Sequence, residues 1–294
     1  MDPDSHPQHI FFSPARIRAI AGNTLLELIR LKVFYFLLIF GFLLIGLGAA
    51  IPELRFQEQF ELFKSFSYGA MSIFTWLLSV LATAMLLPKD IEDRTLYTIL
   101  AKPVPRFEYL LGKLLGVLLL LLISTVIMAL VFGIALWARL ELAISETVRT
   151  VSPDQVASAV QELRASAFTF SLIPGVAIVY LKASVFAALT LFISTFASSW
   201  IFTIIISTAC LLIGHLQGIA RDVWLGPSSG QAQRYFLLLI TLFFPDNRMF
   251  SAVDDIVAGN SISMYLFGNT VALGGFYIVI YFLIAYFVFA AKEL

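Results

Sequence analysis

Six long apolar runs alternate with short polar stretches along the 294 residues, at about 33–51, 66–87, 114–138, 172–196, 200–216 and 271–291. Each is close to the roughly 20 residues that a helix needs to cross a hydrocarbon core about 30 Å thick. Inside lipid every backbone N–H and C=O must be satisfied within its own segment, which selects helices. The pattern therefore predicts an all-α polytopic membrane protein, one domain over 1–294 with six transmembrane helices. A seventh apolar run, 235–244, is too short to cross and is expected to be an interfacial or re-entrant helix.

Two polar segments carry helix-start signals. At 13–30, Ser13-Pro14 reads as an N-cap followed by proline at the first helical position. Ile17, Ile20, Ala21, Thr24, Leu25 and Leu28 then share one face, with Arg16, Arg18, Asn23, Glu27 and Arg30 elsewhere. This is an amphipathic helix expected to lie flat on the inner leaflet before the first span. Ser152-Pro153-Asp154-Gln155 repeats the start signal with a capping-box pattern, followed by Val156, Ala159, Val160 and Leu163 at helical spacing. A helical hairpin outside the membrane, or a helical extension of the third and fourth spans, is expected there.

Composition agrees with the pattern and narrows the chemistry. Apolar residues make up 60% and charged residues 13%, against about 25% charged in soluble domains. Zero net charge and the lack of a basic arm argue against a nucleic-acid partner. The lone Cys210 excludes an intrachain disulfide, and three scattered histidines suggest no metal site and no cofactor in this chain. Gly226-Pro227-Ser228-Ser229-Gly230 has the form G-x-S-x-G, but a nucleophile elbow needs a strand before it and a helix after it. It reads as a turn, H-E-x-x-H is absent, and no enzyme activity is expected of the chain. No cleavable signal peptide is expected either.

Cationic residues near span ends set the expected orientation. Arg16, Arg18, Arg30, Lys32, Lys89, Arg94, Lys102, Arg106, Lys113 and Lys292 crowd against span ends on one side, which places both termini in the cytoplasm. Arg55, Lys64, Arg139, Arg149, Arg164, Arg221, Arg234 and Arg248 are spread over longer loops on the other.

The most informative polar segment joins the second and third spans. Pro88 is expected to end the second span, and Asp90 and Glu92 to open a short helix whose dipole favours acids in its first turn. Asp90 and Arg94 are four apart and can pair. Ile91, Leu96, Ile99 and Leu100 give an apolar side, and Pro103 and Pro105 stop the helix. The spacing predicts a helix from about 90 to 101 parallel to the membrane, either a docking element or a solvated connector.

Asp90–Thr95, Leu96–Leu100, Lys102-Pro103, Arg106, Tyr109 and Gly112-Lys113 resemble the first cytoplasmic loop of type-2 ABC exporter permeases, and more narrowly the branch associated with multicopper-enzyme maturation. The six spans, the amphipathic N-terminal helix, a Ser194-Thr195-Phe196 turn and Phe244-Pro245-Asp246-Asn247 are similar to that pattern too, although in that branch Pro and Asn are often adjacent and here Asp246 intervenes. The resemblance implies a permease subunit in the plasma membrane, pairing as a homodimer or with a related permease. It implies docking on a separate ATP-binding-cassette ATPase subunit through a coupling helix. Asp90, Glu92 and Arg94 would be its polar contacts and Leu96 and Ile99 its apolar anchors. No G-x-x-x-x-G-K-[ST] occurs in the chain, so ATP belongs to the partner. A membrane scaffold for assembly of an envelope enzyme is the alternative.

Lys182 falls near the middle of the fourth span. A central lysine costs about 2.5–3.5 kcal/mol on insertion scales, so it is expected to face protein or water. It reads as a pathway or seam residue, or as one that reaches backbone carbonyls. Gly112/Gly116 and Gly214/Gly218 permit close helix approach, in a dimer or within the chain, and His215 reads as a packed or interfacial histidine.

Overall fold

A computed structural model describes residues 12–50, 56–92, 104–224, 231, 235, 244, 245, 247–250, 252–257 and 263–292. In chain order the helices are α1 (Pro14–Ile29), α2 (Lys32–Ala50), α3 (Phe56–Ala84), α4 (Leu86–Glu92), α5 (Arg106–Thr150), α6 (Pro153–Ala167), α7 (Leu172–Phe196) and α8 (Trp200–Trp224). A 3-10 turn (Asn247–Phe250), α9 (Ala252–Val257) and α10 (Met264–Ala291) follow. Among the described residues there is no strand, and six helices are long and apolar enough to cross a membrane. The chain is an all-α, multi-pass membrane protein.

The apolar runs became helices, but several helices outrun them. α5 has 45 residues where the apolar pattern covers 114–138, because polar residues of good helix propensity (Glu108, Glu141, Glu146) continue it at both ends. α3 likewise begins ten residues ahead of its apolar run at Phe56, and α10 seven ahead at Met264. α7 spans Leu172–Phe196, the range its hydropathy predicts.

Two expected breaks are misplaced. α3 ends at Ala84 and the chain restarts at Leu86, so Pro88 lies inside α4 and does not end the span. Proline is tolerated there because first-turn N–H groups have no intrahelical partner to lose. Ser194-Thr195-Phe196 is the last turn of α7, not a reverse turn. Ser194 Oγ donates to the Leu191 carbonyl at 2.7 Å, and the break falls at 197–199. Both proline-led starts are at Pro14 and Pro153 as expected, yet neither Ser13 nor Ser152 makes a side-chain cap.

Lipid offers no hydrophobic drive between helices, so close packing and small residues hold such a bundle together. α7 is its central member, buried without interruption over 183–191, with Ala183, Ala187 and Ala188 letting neighbours approach. One core gathers Phe63, Tyr68, Phe74, Leu120, Met128 and Phe132 from α3 and α5. A second gathers Tyr109, Leu110, Phe186, Leu189, Tyr281 and Phe289 from α5, α7 and α10. At the Thr150 end of α5, α6 packs back on α5 and α3. There the buried Lys64 donates to the Ser166 carbonyl at 2.6 Å, a cation seated on the C-terminal turn of α6.

Candidate coupling end and polar chamber

Around the Arg106 end of α5 the polar side chains of distant segments converge. The amphipathic face of α1 starts this assembly. Ile17, Ala21, Thr24 and Leu28 are buried, against α5 of the same chain and not against lipid. Gly112 and Gly116 make room for it. A Cβ on Gly112 would stand 2.7 Å from Ile20 Cβ, and one on Gly116 2.7 Å from Thr24 Cβ and 2.9 Å from the Ala21 carbonyl oxygen. The close approach this pair permits is therefore used within the chain rather than in a dimer.

Charges then fasten α1 in place. The Glu108 carboxylate receives Arg16 Nε at 2.6 Å, Arg16 Nη2 at 2.9 Å and the Ser13 backbone N–H at 2.9 Å. A bidentate guanidinium–carboxylate pair fixes orientation as well as distance. Its hydrogen bonds to Glu108 raise the Arg16 guanidinium further above an already high value. On the next stretch of α1, Glu27 Oε1 takes Lys89 Nζ at 3.1 Å, and Glu27 Oε2 lies 3.9 Å from Lys113 Nζ.

Lys113 connects this surface to α4. Its Nζ lies 2.7 Å from Asp90 Oδ2, and Tyr109 donates its hydroxyl to the same carboxylate oxygen. Asp90 and Lys113 are both nearly buried, a setting in which each charge needs a counter-charge. Arg106 supplies the last tie. Its Nη1 donates to the carbonyls of Phe289 (3.0 Å), Ala290 (2.9 Å) and Lys292 (2.9 Å), satisfying acceptors that α10 leaves open at its C-terminus. Lys292 Nζ in turn reaches the Thr195 carbonyl at the end of α7, 3.4 Å away.

Of the five expected docking residues, only Asp90 has its side chain among the described residues. It is buried, with its carboxylate on Lys113 and Tyr109; the expected pairing with Arg94 involves a residue outside the described ones. Glu92 closes α4; its side chain, together with Arg94, Leu96 and Ile99, lies outside the described residues. The 226–230 turn and nearly all of the short apolar run 235–244 also lie outside them.

Lys182 stands toward the opposite end of the bundle. It lines a cavity of about 440 Å³ enclosed by α3, α7, α8 and the 247–257 segment. Ser65, Tyr68 and Ser72 of α3, His215 of α8 and Asn247 share its walls with Ile178, Val179 and Phe250. The lysine faces this mixed, protein-lined space, as its cost in lipid requires. Asn247 Nδ2 is 2.7 Å from His215 Nδ1, and with the amide donating, the ring proton sits on Nε2. Asn247 Oδ1 is buried and accepts no hydrogen bond. Gly214 lets the chain after α8 lie directly on that helix, since a Cβ there would be 2.7 Å from the Pro245 carbonyl.

No curated protein matches the chain. The sequence model of the ABC-2 family transporter proteins matches residues 18–294, from within α1 through the end of the chain, and the chain belongs to that family.

Proposed function

We propose that this ABC-2 family protein is the permease subunit of an exporter, coupling ATP hydrolysis by a separate ATP-binding-cassette subunit to movement of a solute or lipid. Two copies, or one copy and a related permease, form the pathway in the plasma membrane, with both termini cytoplasmic. ATP binding draws the two ATPase subunits together. A helix over about 90–101, with Glu92 and Arg94 as polar contacts and Leu96 and Ile99 as apolar anchors, carries that motion into the bundle. Asp90 serves as the inward anchor of the same element.

One observation carries this reading. The described residues on either side of 93–103, in α4 and α5, are fastened by ion pairs to α1 and to each other. Such a base transmits force delivered to the segment, because displacing either end separates buried charges from their counter-charges. The absence of a G-x-x-x-x-G-K-[ST] phosphate-binding loop supports placing the nucleotide on a partner.

Purification from the native membrane tests it. An ATP-binding subunit is expected to co-purify, and Glu92→Ala with Arg94→Ala to release it or to lower ATPase stimulation by the permease. Absence of any nucleotide-binding partner refutes the reading. A partner that binds and hydrolyses ATP in vesicles while no solute or lipid moves makes the chain a scaffold.

A further inference from the structure

A groove of about 660 Å³ runs between α5 and α7. One wall follows a single face of α5 from Leu122 through Gly133 to Leu136, and Ile173, Ala177 and Tyr180 of α7 stand on the other. Both walls belong to apolar spans, and Leu122 and Ile173 are exposed at its lips, so the groove opens sideways into the hydrocarbon layer. Its chemistry is aliphatic. Thr125 turns its hydroxyl back to the Leu121 carbonyl at 2.7 Å, and Tyr180 donates to the Leu118 carbonyl at 3.4 Å. No charged side chain stands among the described residues that line it. Gly133 adds room to the floor, since a Cβ there meets nothing within 4 Å. Unlike Gly112 and Gly116, it lends its space to no neighbouring helix.

Shape decides the occupant. The reach from Leu122 to Leu136 is about 21 Å at 1.5 Å per residue. Spread over that length, 660 Å³ gives a mean section of about 30 Å², roughly 6 Å across. A helix from a second copy, about 10–12 Å across with its side chains, does not enter so narrow a slot. A single polymethylene chain does. The length also exceeds the depth of one leaflet, about half of a 30 Å core, so a whole chain lies along it. We propose that the groove is a binding site for one acyl chain of a membrane phospholipid. Lipid tails are as apolar as the walls, so the site is preferred over the surrounding bilayer through packing alone. Left empty, the wall atoms lose their contact partners outright, and a seated chain restores them. With no charge on the walls, the chain is recognised and the headgroup is not. The proposal goes beyond the transport reading and does not depend on it.

The test needs neither ATP nor a partner subunit. The full chain is purified in detergent and washed free of loosely held lipid, and the phospholipid it retains is counted by native mass spectrometry. Gly133→Phe, whose ring fills the groove from a position with open space, is expected to retain one phospholipid per chain fewer than the wild type. Ala177→Phe fills the groove from the other wall and replaces it should Gly133→Phe not yield a monodisperse protein. Leu130→Phe, exposed on α5 away from the groove, should retain as much as the wild type. Phosphatidylcholine and phosphatidylglycerol with the same long chains, added back to stripped protein, should rebind equally and raise the Tm of the wild type but not of Gly133→Phe. Dioctanoyl-phosphatidylcholine, too short to fill the groove, should rebind more weakly. Equal retention by Gly133→Phe and wild type, rebinding of phosphatidylglycerol alone, or no phospholipid on the wild type overturns the proposal. A lipid-free wild-type dimer that Gly133→Phe splits into monomers also overturns it and puts a second copy in the groove.

Discussion

Seating of α1 on α5 can be weighed with a single methyl group. Gly116→Ala places a Cβ 2.7 Å from Thr24 Cβ, 2.8 Å from Thr24 Cγ2 and 2.9 Å from the Ala21 carbonyl oxygen. Thr24 is β-branched and stiff at χ1, and the third atom is backbone, so relief requires α1 to move as a body. Overpacking of this kind costs about 1–3 kcal/mol. Against it stands the gain of about 1 kcal/mol from replacing glycine by alanine in a helix. Gly133→Ala supplies the control, because it lies on the same helix and a Cβ there meets nothing within 4 Å. The propensity gain is common to both variants and cancels, leaving Gly116→Ala less stable than Gly133→Ala by about 1–3 kcal/mol. Cys210, the sole cysteine and buried, makes the assay simple. A fluorogenic maleimide reports thermal unfolding in detergent as that thiol becomes reachable. For a domain of this size 1 kcal/mol corresponds to about 2–4 °C in Tm. Equal shifts for the two variants would refute the packing of α1 against the glycine pair.

Three further outcomes follow from the ionic ties. Lys113→Met and Asp90→Asn should each destabilise the protein, and the double variant should lose less than their sum, with a coupling of about 0.5–3 kcal/mol in the same thermal assay; additive losses would mean that the 2.7 Å pair contributes nothing. Arg106→Ala should speed amide exchange in the last turn of α10, where three carbonyls lose their donor; unchanged exchange contradicts the capping role. Glu108→Ala should hasten tryptic cleavage at Arg16 and Arg18 by freeing the start of α1, with Glu108→Gln intermediate because one acceptor remains; identical cleavage of wild type and variant argues against the clasp.

Most of the architecture was readable from local pattern. A run such as 172–196 is apolar throughout, and the membrane's demand for internal backbone bonding turns it into a helix of that length. The face of α1 was also readable, from the spacing of Ile17, Ala21, Thr24 and Leu28, but what covers it was not. Hydropathy reports preference for an apolar surrounding and is silent on whether lipid or a glycine-lined helix provides it. Helix ends suffered for a related reason. Residues such as Glu141 and Glu146 end an apolar run without ending a helix.

The polar site was legible as a concentration of charge, not as a set of partners. Asp90 and Arg94 invite pairing because they are four apart; what that spacing does not reveal is that the Asp90 carboxylate also meets Lys113 and Tyr109, which the chain brings round only after residues 93–103. Glu108, at the start of α5, likewise finds its partner far off in sequence, in Arg16, 92 residues away. A usable clue was present. Glu108 and Lys113 are buried on α5 together with Tyr109, Leu110, Leu114 and Val117, and charges so placed cannot stay without counter-ions. The nearest spare charges on an amphipathic segment were those of α1. That Lys182 faces a protein-walled cavity could be expected from solvation cost alone, an argument that needs no partner.

The uninterrupted course of α5 makes it a lever. Forty-five residues at 1.5 Å each give a rod about 68 Å long, more than twice the hydrocarbon thickness. Its Arg106 end is gripped by α1, α4 and α10, and its Thr150 end carries α6. A tilt of about 5° about one end displaces the other by about 6 Å, the rise of a full helical turn. Small angular work done at the ionic grip would thus arrive at the far side as a stroke large enough to shift the α6 hairpin.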